Sequence, residues 1–257
     1  MNKVLSVNNL CKTYIVNKRQ NNVLRNVNFE MHEGEFVSIM GPSGSGKSTL
    51  LYTVSGMDRL TAGRVIFAGK DISDVSPNRM SDIRLNEMGF VFQQMHMLRN
   101  LSIYDNIIVS AYNSNAGKTT EQRKKINEYA IELMRKLEII DIADNDITEV
   151  SGGQLQRACI CRSLINKPKM IFADEPTGAL NSKTANEVMS EFIKINRMGT
   201  SILLVTHDIK VAAKTDKILY IVDGNIQGEF QLGKYSEESS QKDRERKLNS
   251  WLMDMGW

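Results

Sequence analysis

The residues from Phe36 to Leu51 carry the strongest chemical pattern in this chain of 257 residues. They read FVSIMGPSGSGKSTLL, which is an apolar run, a glycine-rich loop and then the start of a segment compatible with a helix. Glycines let backbone N–H groups surround an anion, and the start of a helix adds further donors. The pattern predicts a phosphate-binding P-loop formed by Gly41, Pro42, Ser43, Gly44, Ser45, Gly46, Lys47, Ser48 and Thr49.

Two side chains of this loop have expected roles. Lys47 is expected to reach the β- and γ-phosphates, and the Ser48 hydroxyl is expected to bind Mg²⁺. A flexible glycine- and serine-rich linker is the alternative interpretation. The apolar run before the loop and the helical segment after it are the context that a P-loop requires, and they favour the phosphate site.

Two carboxylates follow a second apolar run. Asp174 and Glu175 come directly after Met170–Ala173, which reads MIFA. Ligands of parallel sheets lie beyond the carboxyl ends of the strands, so this pair is expected beside the phosphates. Asp174 suits coordination of Mg²⁺, and Glu175 suits orienting or deprotonating an attacking water. Taken alone, a strand that ends in Asp-Glu is often just a solvated sheet edge, and the P-loop strengthens the functional interpretation.

A second glycine-rich loop precedes another helical segment. It consists of Ser151, Gly152, Gly153 and Gln154. The start of a helix can bind an anion, but Ser151 can also be an ordinary N-cap followed by flexible glycines. Two anion-binding helix starts are more than one nucleotide needs.

The composition predicts a globular cytoplasmic protein. The formal net charge of +3 is nearly balanced, so nothing in it indicates a nucleic-acid partner. The first residues lack the apolar stretch of a signal peptide, and no apolar run approaches the ~18 residues of a membrane span. Cys11, Cys159 and Cys161 show no zinc or disulfide spacing, and Cys159 and Cys161 are expected to contribute to packing.

Apolar patterning predicts the elements that position these residues. Alternating runs before the P-loop predict an antiparallel β layer with a polar turn at Asn17–Asn22. Helical spacing of Ile126, Ala130 and Leu133 within residues 102–137 predicts a helix-rich insert in a parallel-sheet core. The predicted strands are Val4–Val7, Thr13–Val16, Val27–Met31, Arg64–Phe67, Met88–Phe92, Met170–Ala173, Ser201–Val205 and Lys217–Val222.

The last segment, residues 236–257, is highly charged at first and then becomes apolar. Leu248, Trp251, Leu252 and Met255 share one helical stripe. The stripe predicts a helix that packs on its own domain or, alternatively, a docking surface for a partner.

Five motifs in order give the chain a family resemblance. GPSGSGKST, the Gln93 after FVF, SGGQLQ, MIFADE and the His207 in LLVTHD resemble the ATP-binding subunit of an ABC transporter over about residues 3–232. The resemblance implies an α/β fold of the P-loop NTPase class, with an antiparallel β layer and a helical subdomain inserted in the parallel-sheet core. The implied domain spans residues 1–233, with the insert at about 94–165 and a C-terminal extension at 234–257.

The resemblance also implies roles for single residues, with ATP and Mg²⁺ as cofactors. Tyr14 would stack on adenine, Gln93 would sense Mg²⁺ and the attacking water, and His207 would contact the γ-phosphate. The catalytic set would be Glu175, His207 and Gln93, and the metal set Ser48, Gln93 and Asp174. Tyr14 as a strand core residue and His207 as a structural histidine are the alternatives. His32 and His96 are expected to be ordinary residues.

In this family, the loop Ser151–Gln154 of one subunit closes over the ATP of the other. The resemblance therefore implies a homodimer, and an integral membrane permease as partner at the cytoplasmic face of the membrane. Met95, Met97 and Leu98 would form an adaptable apolar surface for the permease, unless they are core residues of the insert. The chain departs from the family pattern at Val150, where Leu is common, and at Asn181, where Asp is common.

The stretch GFVFQQMHML together with EPTGAL resembles the branch of lipoprotein-release, macrolide-export and peptide-antibiotic-resistance ATPases. The tail Met255-Gly256-Trp257 is most similar to the bacitracin-type subgroup, which implies export of, or resistance to, antimicrobial peptides. A lipoprotein-release complex or a mechanical signalling complex that moves no soluble cargo is the alternative. Family members that act on ribosomes or DNA fit less well, because the chain has one SGGQ loop and no long coiled coil.

Overall fold

The computed structural model describes residues 2–114, 117–236 and 240–257. The chain forms two compact units, the first made of residues 1–80 and 193–257 and the second of residues 81–192. The elements in chain order are β1 (Lys3–Val16), β2 (Arg19–His32), β3 (Phe36–Met40), α1 (Lys47–Val54), β4 (Ala62–Phe67), β5 (Lys70–Asp71), α2 (Pro77–Glu87), β6 (Met88–Phe92), α3 (Ile103–Asn113), α4 (Thr120–Lys136), α5 (Gly152–Leu164), β7 (Met170–Asp174), α6 (Ser182–Arg197), β8 (Ser201–Val205), α7 (Ile209–Ala212), β9 (Lys217–Val222), β10 (Asn225–Gln231) and α8 (Gln241–Asp254).

The first unit contains the predicted antiparallel layer, with strand order β2-β1-β4-β5. The strand runs predicted as Val4–Val7 and Thr13–Val16 are parts of one continuous strand, β1, and the turn predicted at Asn17–Asn22 contains only Asn17 and Lys18. Register shifts on both sides of Leu10 take up the polar residues between the two runs. Asn9, with φ of 49°, donates its backbone N–H to Asn28 Oδ1 at 2.7 Å. β-Bulges within β1 therefore accommodate the polar residues that separate the two predicted strand runs.

The first unit also contains part of the parallel core. There β3 pairs in parallel with both β8 and β9, and β10 adds an antiparallel edge on β9. All residues of β3 and β8 are buried, which explains why their sequences are apolar except for Ser38 and Ser201, because such strands are covered on both faces. The predicted bounds Ser201–Val205 and Lys217–Val222 are confirmed.

In the second unit, β6 and β7 form a parallel pair. The predicted strand Met88–Phe92 is confirmed, and the strand predicted at Met170–Ala173 extends by one residue to Asp174. The helical region predicted at 102–137 consists of two helices, because each has its own N-cap. Ser102 Oγ accepts from Asp105 N–H at 3.0 Å to begin α3, and Thr119 forms a capping box with Gln122 to begin α4.

Helix α8 packs against other elements of the first unit, to which it belongs, so the predicted apolar stripe is a packing surface. Residues 237–239 of the predicted segment lie outside the described residues. Leu248 and Leu252 are fully buried in a cluster with Met40 and Tyr220, and the Trp251 ring stacks on Phe230 with 5.1 Å between centroids. This burial supplies the hydrophobic driving force that a helix of this polarity would otherwise lack.

The cysteines behave as predicted for packing residues. Cys159 and Cys161 are fully buried in α5, and Cys11 is partly buried. Burial raises the pKa of both α5 thiols, that of Cys159 to about 11, so they stay protonated near neutral pH. No helix among residues 2–114, 117–236 and 240–257 combines the length and the apolar character of a membrane span.

Candidate functional site

The P-loop connects β3 to α1 in the first unit. Gly46 occupies the N-cap position of α1 with φ of 101°, a conformation that side chains rarely adopt. Gly41 lies so close to β9 that a Cβ there would stand 2.0 Å from the backbone oxygen of Ile221. Two glycines of the motif are thus required by the path of the backbone. They place the start of α1, where helical N–H groups point away from the helix body, directly after the loop.

The loop is held by its own backbone and by Lys47. Lys47 Nζ donates to the carbonyl oxygens of Gly41 at 2.8 Å and Pro42 at 2.9 Å, which keeps the ammonium above the loop. The Ser45 carbonyl accepts from Gly224 N–H at 3.0 Å. Ser45 Oγ is buried and has no hydrogen-bond partner within the described part of the chain. A buried polar atom of this kind needs a partner, and a phosphate oxygen fits it.

Tyr14 lies on β1 and is not a core residue, since 36% of it is exposed. Its hydroxyl donates to Asp58 Oδ2 at 2.5 Å. Partial burial, together with the hydrogen bond to Asp58 and its charge, raises the pKa of Tyr14 to about 12, against an opposing hydrogen bond with Thr49 of α1. The ring is therefore tied to the residues around α1 and keeps its hydroxyl proton.

His207 lies at the same sheet edge as the P-loop. It follows β8, whose neighbour β3 leads into the loop, and Thr206 N–H donates to the Ile39 carbonyl at 3.2 Å. His207 is exposed, and Asp208 caps α7 by accepting from Lys210 N–H at 2.7 Å. His32 lies 3.4 Å from a Glu35 oxygen through Nδ1, which is an ordinary surface contact.

In the second unit, the ends of β6 and β7 bring Gln93, Asp174 and Glu175 together. Phe92 is opposite Asp174 in the parallel pair, and Gln93 N–H donates to the Asp174 carbonyl at 2.9 Å. The Asp174 residue is only 9% exposed. Gly178 N–H donates to the Glu175 carbonyl at 3.0 Å, and a Cβ on Gly178 would lie 3.1 Å from Gln93 Nε2.

The backbone of Glu175 has φ of 47°, in the left-handed region. This conformation is unfavourable for a residue with a side chain and is found more often where a site needs a defined side-chain direction. It places a strained residue at the position predicted to be the catalytic base. The sequence alone gave no sign of this strain.

The donors predicted for a metal fit Mg²⁺ by type. Ser48, Gln93 and Asp174 each offer oxygen, which is the ligand atom of Mg²⁺ in proteins. No group of three or more His, Cys, Asp or Glu side chains among the described residues forms a metal cage. Mg²⁺ normally needs only one or two carboxylates when phosphates share its coordination.

Ser151 forms the N-cap of α5, as one of the two interpretations predicts. Its hydroxyl accepts from Gln154 N–H at 3.3 Å, and its own N–H donates to Gln154 Oε1 at 2.9 Å, completing a capping box. Ser151 and Gly152 are exposed. Gly153 is buried because α6 passes close by, and a Cβ on Gly153 would lie 2.4 Å from Thr184 Cγ2. The close packing of α6 therefore explains why residue 153 is a glycine, in addition to any need for flexibility.

This contact predicts that Gly153→Ala changes the stability of the protein in opposite directions, depending on the residue at position 184. Gly153→Ala should destabilise the protein by about 1–2 kcal/mol, because the new methyl group meets the stiff Thr184 side chain. In a Thr184→Ser background the obstructing methyl is gone, and the same change should stabilise by up to about 1 kcal/mol through higher helix propensity. Urea unfolding of the four variants measures both values. Equal signs in the two backgrounds would contradict the packing explanation.

Asn181 keeps a structural task at the position where the family commonly has Asp. Its Oδ1 accepts from Thr184 N–H at 3.0 Å, so it caps the start of α6. Asp would make the same bond with a negative charge added. The substitution therefore preserves the cap and removes only the charge.

Two residues that the sequence analysis missed shape the segment after Gln93. Asn106 is 1% exposed, accepts from Leu98 N–H at 2.7 Å and donates to the Leu98 carbonyl at 3.0 Å. Arg162 donates to the carbonyls of Met95 at 2.7 Å and His96 at 2.8 Å. A polar residue on the apolar face of α3 was the available signal for Asn106. The loop is thereby held through its backbone, which leaves its side chains available.

The Met95, Met97 and Leu98 side chains are not core residues of the insert. Met95 and Met97 are half-buried, and Leu98 is 50% exposed. The alternative that placed them in the core is not supported by these exposures. These three side chains therefore form a partly exposed apolar surface on a backbone that Asn106 and Arg162 hold in place.

The sequence is similar to those of known proteins. The family model described as ABC transporter matches residues 24–178. The chain is 40% identical over 226 residues to the ABC transporter ATP-binding protein YknY of Bacillus subtilis (strain 168), covering 87% of this chain and 95% of YknY. It is 39% identical over 224 residues to LolD, the ATP-binding protein of the lipoprotein-releasing system of Wigglesworthia glossinidia brevipalpis, covering 87% and 96%.

Solved structures of MJ0796 from Methanocaldococcus jannaschii have the same fold. The dimeric structure of this ABC transporter cassette has a TM-score of 0.81 and 37% identity, covering 90% of this chain and 100% of that one. A dimeric post-hydrolysis state bound to ADP and Pi has a TM-score of 0.80 and 36% identity, with the same coverage. The predicted fold class is confirmed. The chain belongs to the ABC transporter family, as an ATP-binding subunit with ATP hydrolase activity.

Proposed function

We propose that two copies of this chain form a head-to-tail homodimer that hydrolyses ATP to drive a separate membrane permease. The observation that carries the proposal is the presence of two glycine-rich helix starts, at α1 in the first unit and α5 in the second. One nucleotide occupies one P-loop, and the second helix start offers N–H donors to the nucleotide of another copy. The relative MJ0796 has been solved as a dimer.

The residues divide the reaction between them. Lys47 and the N–H groups of the P-loop hold the β- and γ-phosphates, and Tyr14 stacks on the adenine ring. Ser48, Asp174 and Gln93 would hold Mg²⁺, which neutralises charge on the phosphates when bound. Glu175 accepts a proton from the attacking water while the water oxygen forms a bond to the γ-phosphorus. The bond between the γ-phosphorus and the oxygen bridging to the β-phosphate breaks, which releases ADP and phosphate. His207 contacts the γ-phosphate, and Ser151, Gly152, Gly153 and Gln154 contact the partner copy's ATP.

A dimeric mechanism makes activity depend on concentration. Hydrolysis per subunit should rise with protein concentration in parallel with the dimer fraction, because each site is completed by the other copy. Phosphate release and sedimentation velocity over the same dilution series, with MgATP present, measure the two quantities. A constant rate per subunit in samples that contain only monomer would refute the dimeric scheme.

The permease is proposed to contact the segment after Gln93 at the cytoplasmic face of the membrane, with no nucleic acid as partner. The support is the half-exposed apolar group Met95, Met97 and Leu98 on a backbone held by Asn106 and Arg162. Methionine side chains adapt readily to a partner surface. The subunit would thus be a peripheral membrane protein through this partner.

We propose antimicrobial peptides as the cargo, or as the compounds to which the complex gives resistance. The support is the resemblance of the tail at Met255–Trp257 to the bacitracin-type subgroup. Lipoprotein release is a second candidate, favoured by the 39% identity to LolD, and a signalling complex without soluble cargo is a third. Reconstituting the chain with the permease from the adjacent gene separates them. Peptide-stimulated ATP hydrolysis with peptide movement supports the first, lipoprotein extraction the second, and stimulation without movement the third.

A further inference from the structure

The ring of Tyr14 is held by two charged residues that come from different parts of the first unit. The Tyr14 hydroxyl donates to Asp58 Oδ2 at 2.5 Å, and Lys12 Nζ donates to Asp58 Oδ1 at 2.6 Å. Lys12 Nζ also donates to the Arg59 carbonyl at 2.6 Å and lies 4.5 Å from the centroid of the Tyr14 ring. One carboxylate thus bonds both the hydroxyl of the ring and the cation above it.

The ion pair of Lys12 with Asp58 carries a desolvation cost on the lysine side. Lys12 is only 7% exposed, and removing an ammonium group from water is unfavourable unless it is fully paired. The Asp58 side chain is 33% exposed, so the pair is partly buried, and such a pair often adds little to stability. Partial burial raises the pKa of Asp58, but hydrogen bonds from Lys12 and Tyr14 lower it more, so Asp58 stays charged near neutral pH.

The three residues connect β1 to the helix that follows the P-loop. Lys12 and Tyr14 are two positions apart on β1, so they project from the same face of the strand. Asp58 lies just beyond α1, and its N–H donates to the Tyr52 carbonyl at 3.0 Å. The direction of the Tyr14 ring is therefore set relative to α1, the helix whose first turn is part of the P-loop.

We infer that Lys12 and Asp58 are positioning residues for the nucleobase of ATP. Asp58 fixes the Tyr14 hydroxyl, and Lys12 covers one face of the ring, so that only the opposite face is presented to a planar base. This inference rests on the proposed function, in which Tyr14 stacks on adenine. Neither Lys12 nor Asp58 needs to touch the nucleotide.

The test compares ATP with inorganic tripolyphosphate, which offers phosphates without a base. Stacking of a base on an aromatic ring is worth about 5- to 150-fold in affinity, and a misdirected ring should lose part of it. Tyr14→Phe, which removes only the hydroxyl, Asp58→Asn and Lys12→Met should each weaken MgATP binding by about 3- to 10-fold. Tripolyphosphate binding should not change. Isothermal titration calorimetry on the full chain measures both ligands.

A double-variant cycle sharpens the test. In a Tyr14→Ala background the ring is absent, so adding Asp58→Asn should cause no further loss of ATP affinity. Lys3→Met and Glu30→Gln are matched controls. Lys3 lies on β1, like Lys12 and Tyr14, and its Nζ pairs with Oε1 of Glu30 on β2 at 2.8 Å at the exposed surface. Both controls should bind ATP like the wild-type chain. Thermal unfolding identifies any variant that fails to fold, and Tyr14→Phe is the mildest of the set.

The outcomes separate this inference from the proposed function. Unchanged ATP affinity in Tyr14→Ala would refute the stacking role of Tyr14, and the inference with it. A loss in Tyr14→Ala with none in Tyr14→Phe and Asp58→Asn would overturn the inference alone. Equal losses for ATP and tripolyphosphate would also overturn it, because they would indicate damage to the P-loop. Selective loss of ATP binding that disappears in the Tyr14→Ala background would support it.

Discussion

Replacing Glu175 by Gln should lower the rate of ATP hydrolysis by about 10²- to 10⁴-fold and leave ATP binding intact. Gln keeps the size and the hydrogen-bonding oxygen of the side chain, but it cannot accept the proton of the attacking water. Residue 175 has φ of 47°, and Gln meets the same backbone penalty as Glu, so the fold should not change. Phosphate release at saturating ATP and equilibrium ATP titration measure the two effects separately.

Glu128→Gln is the matched control for this prediction. Glu128 is an exposed carboxylate of α4, and the substitution makes the same change in charge and size away from the sheet edge. It should leave the hydrolysis rate within about twofold of the wild-type value, as expected for a surface change. Near wild-type hydrolysis in the Glu175 variant would remove that residue from the role of catalytic base. Loss of ATP binding would point to a structural role.

Replacing Lys47 by Ala should abolish turnover and weaken ATP binding by about 10-fold to 150-fold. The estimate comes from hydrogen bonds to charged groups, which contribute about 1.5–3 kcal/mol each. The variant also removes the donor that the Gly41 and Pro42 carbonyls share at 2.8 and 2.9 Å, so the loop loses an internal contact as well as a phosphate ligand. ATP titration and steady-state phosphate release measure the losses.

Lys124→Ala controls for the loss of a positive charge. Lys124 is an exposed residue of α4, far along the sequence from the P-loop, and its removal should change neither quantity. Wild-type affinity and rate in the Lys47 variant would contradict the assignment of residues 41–49 as the phosphate site. Thermal unfolding of both variants distinguishes a lost ligand contact from a lost fold.

The sequence by itself determined the local features of this protein. The mostly buried strands β3, β6, β8 and β9 were predictable because a strand covered on both faces is apolar along most of its length. The P-loop was predictable because the spacing of its glycines, Lys47 and Ser48 lies within a few consecutive residues, although the close approach of Gly41 to Ile221 of β9 is a tertiary contact. The same holds for Ser151, whose capping box involves only Gln154 three positions later.

Only the tertiary structure decided what depends on residues distant in sequence. Asp58 meets Lys12 across 46 positions, and Arg162 meets Met95 across 67, and no local pattern encodes either contact. The choice between packing and docking for α8 likewise depended on whether the cluster around Tyr220 offered its stripe a complementary apolar surface. Local propensity acts over a few residues, whereas these contacts form only when folding brings separate segments together. The reach of each interaction along the chain therefore divides what could be predicted from what had to be observed.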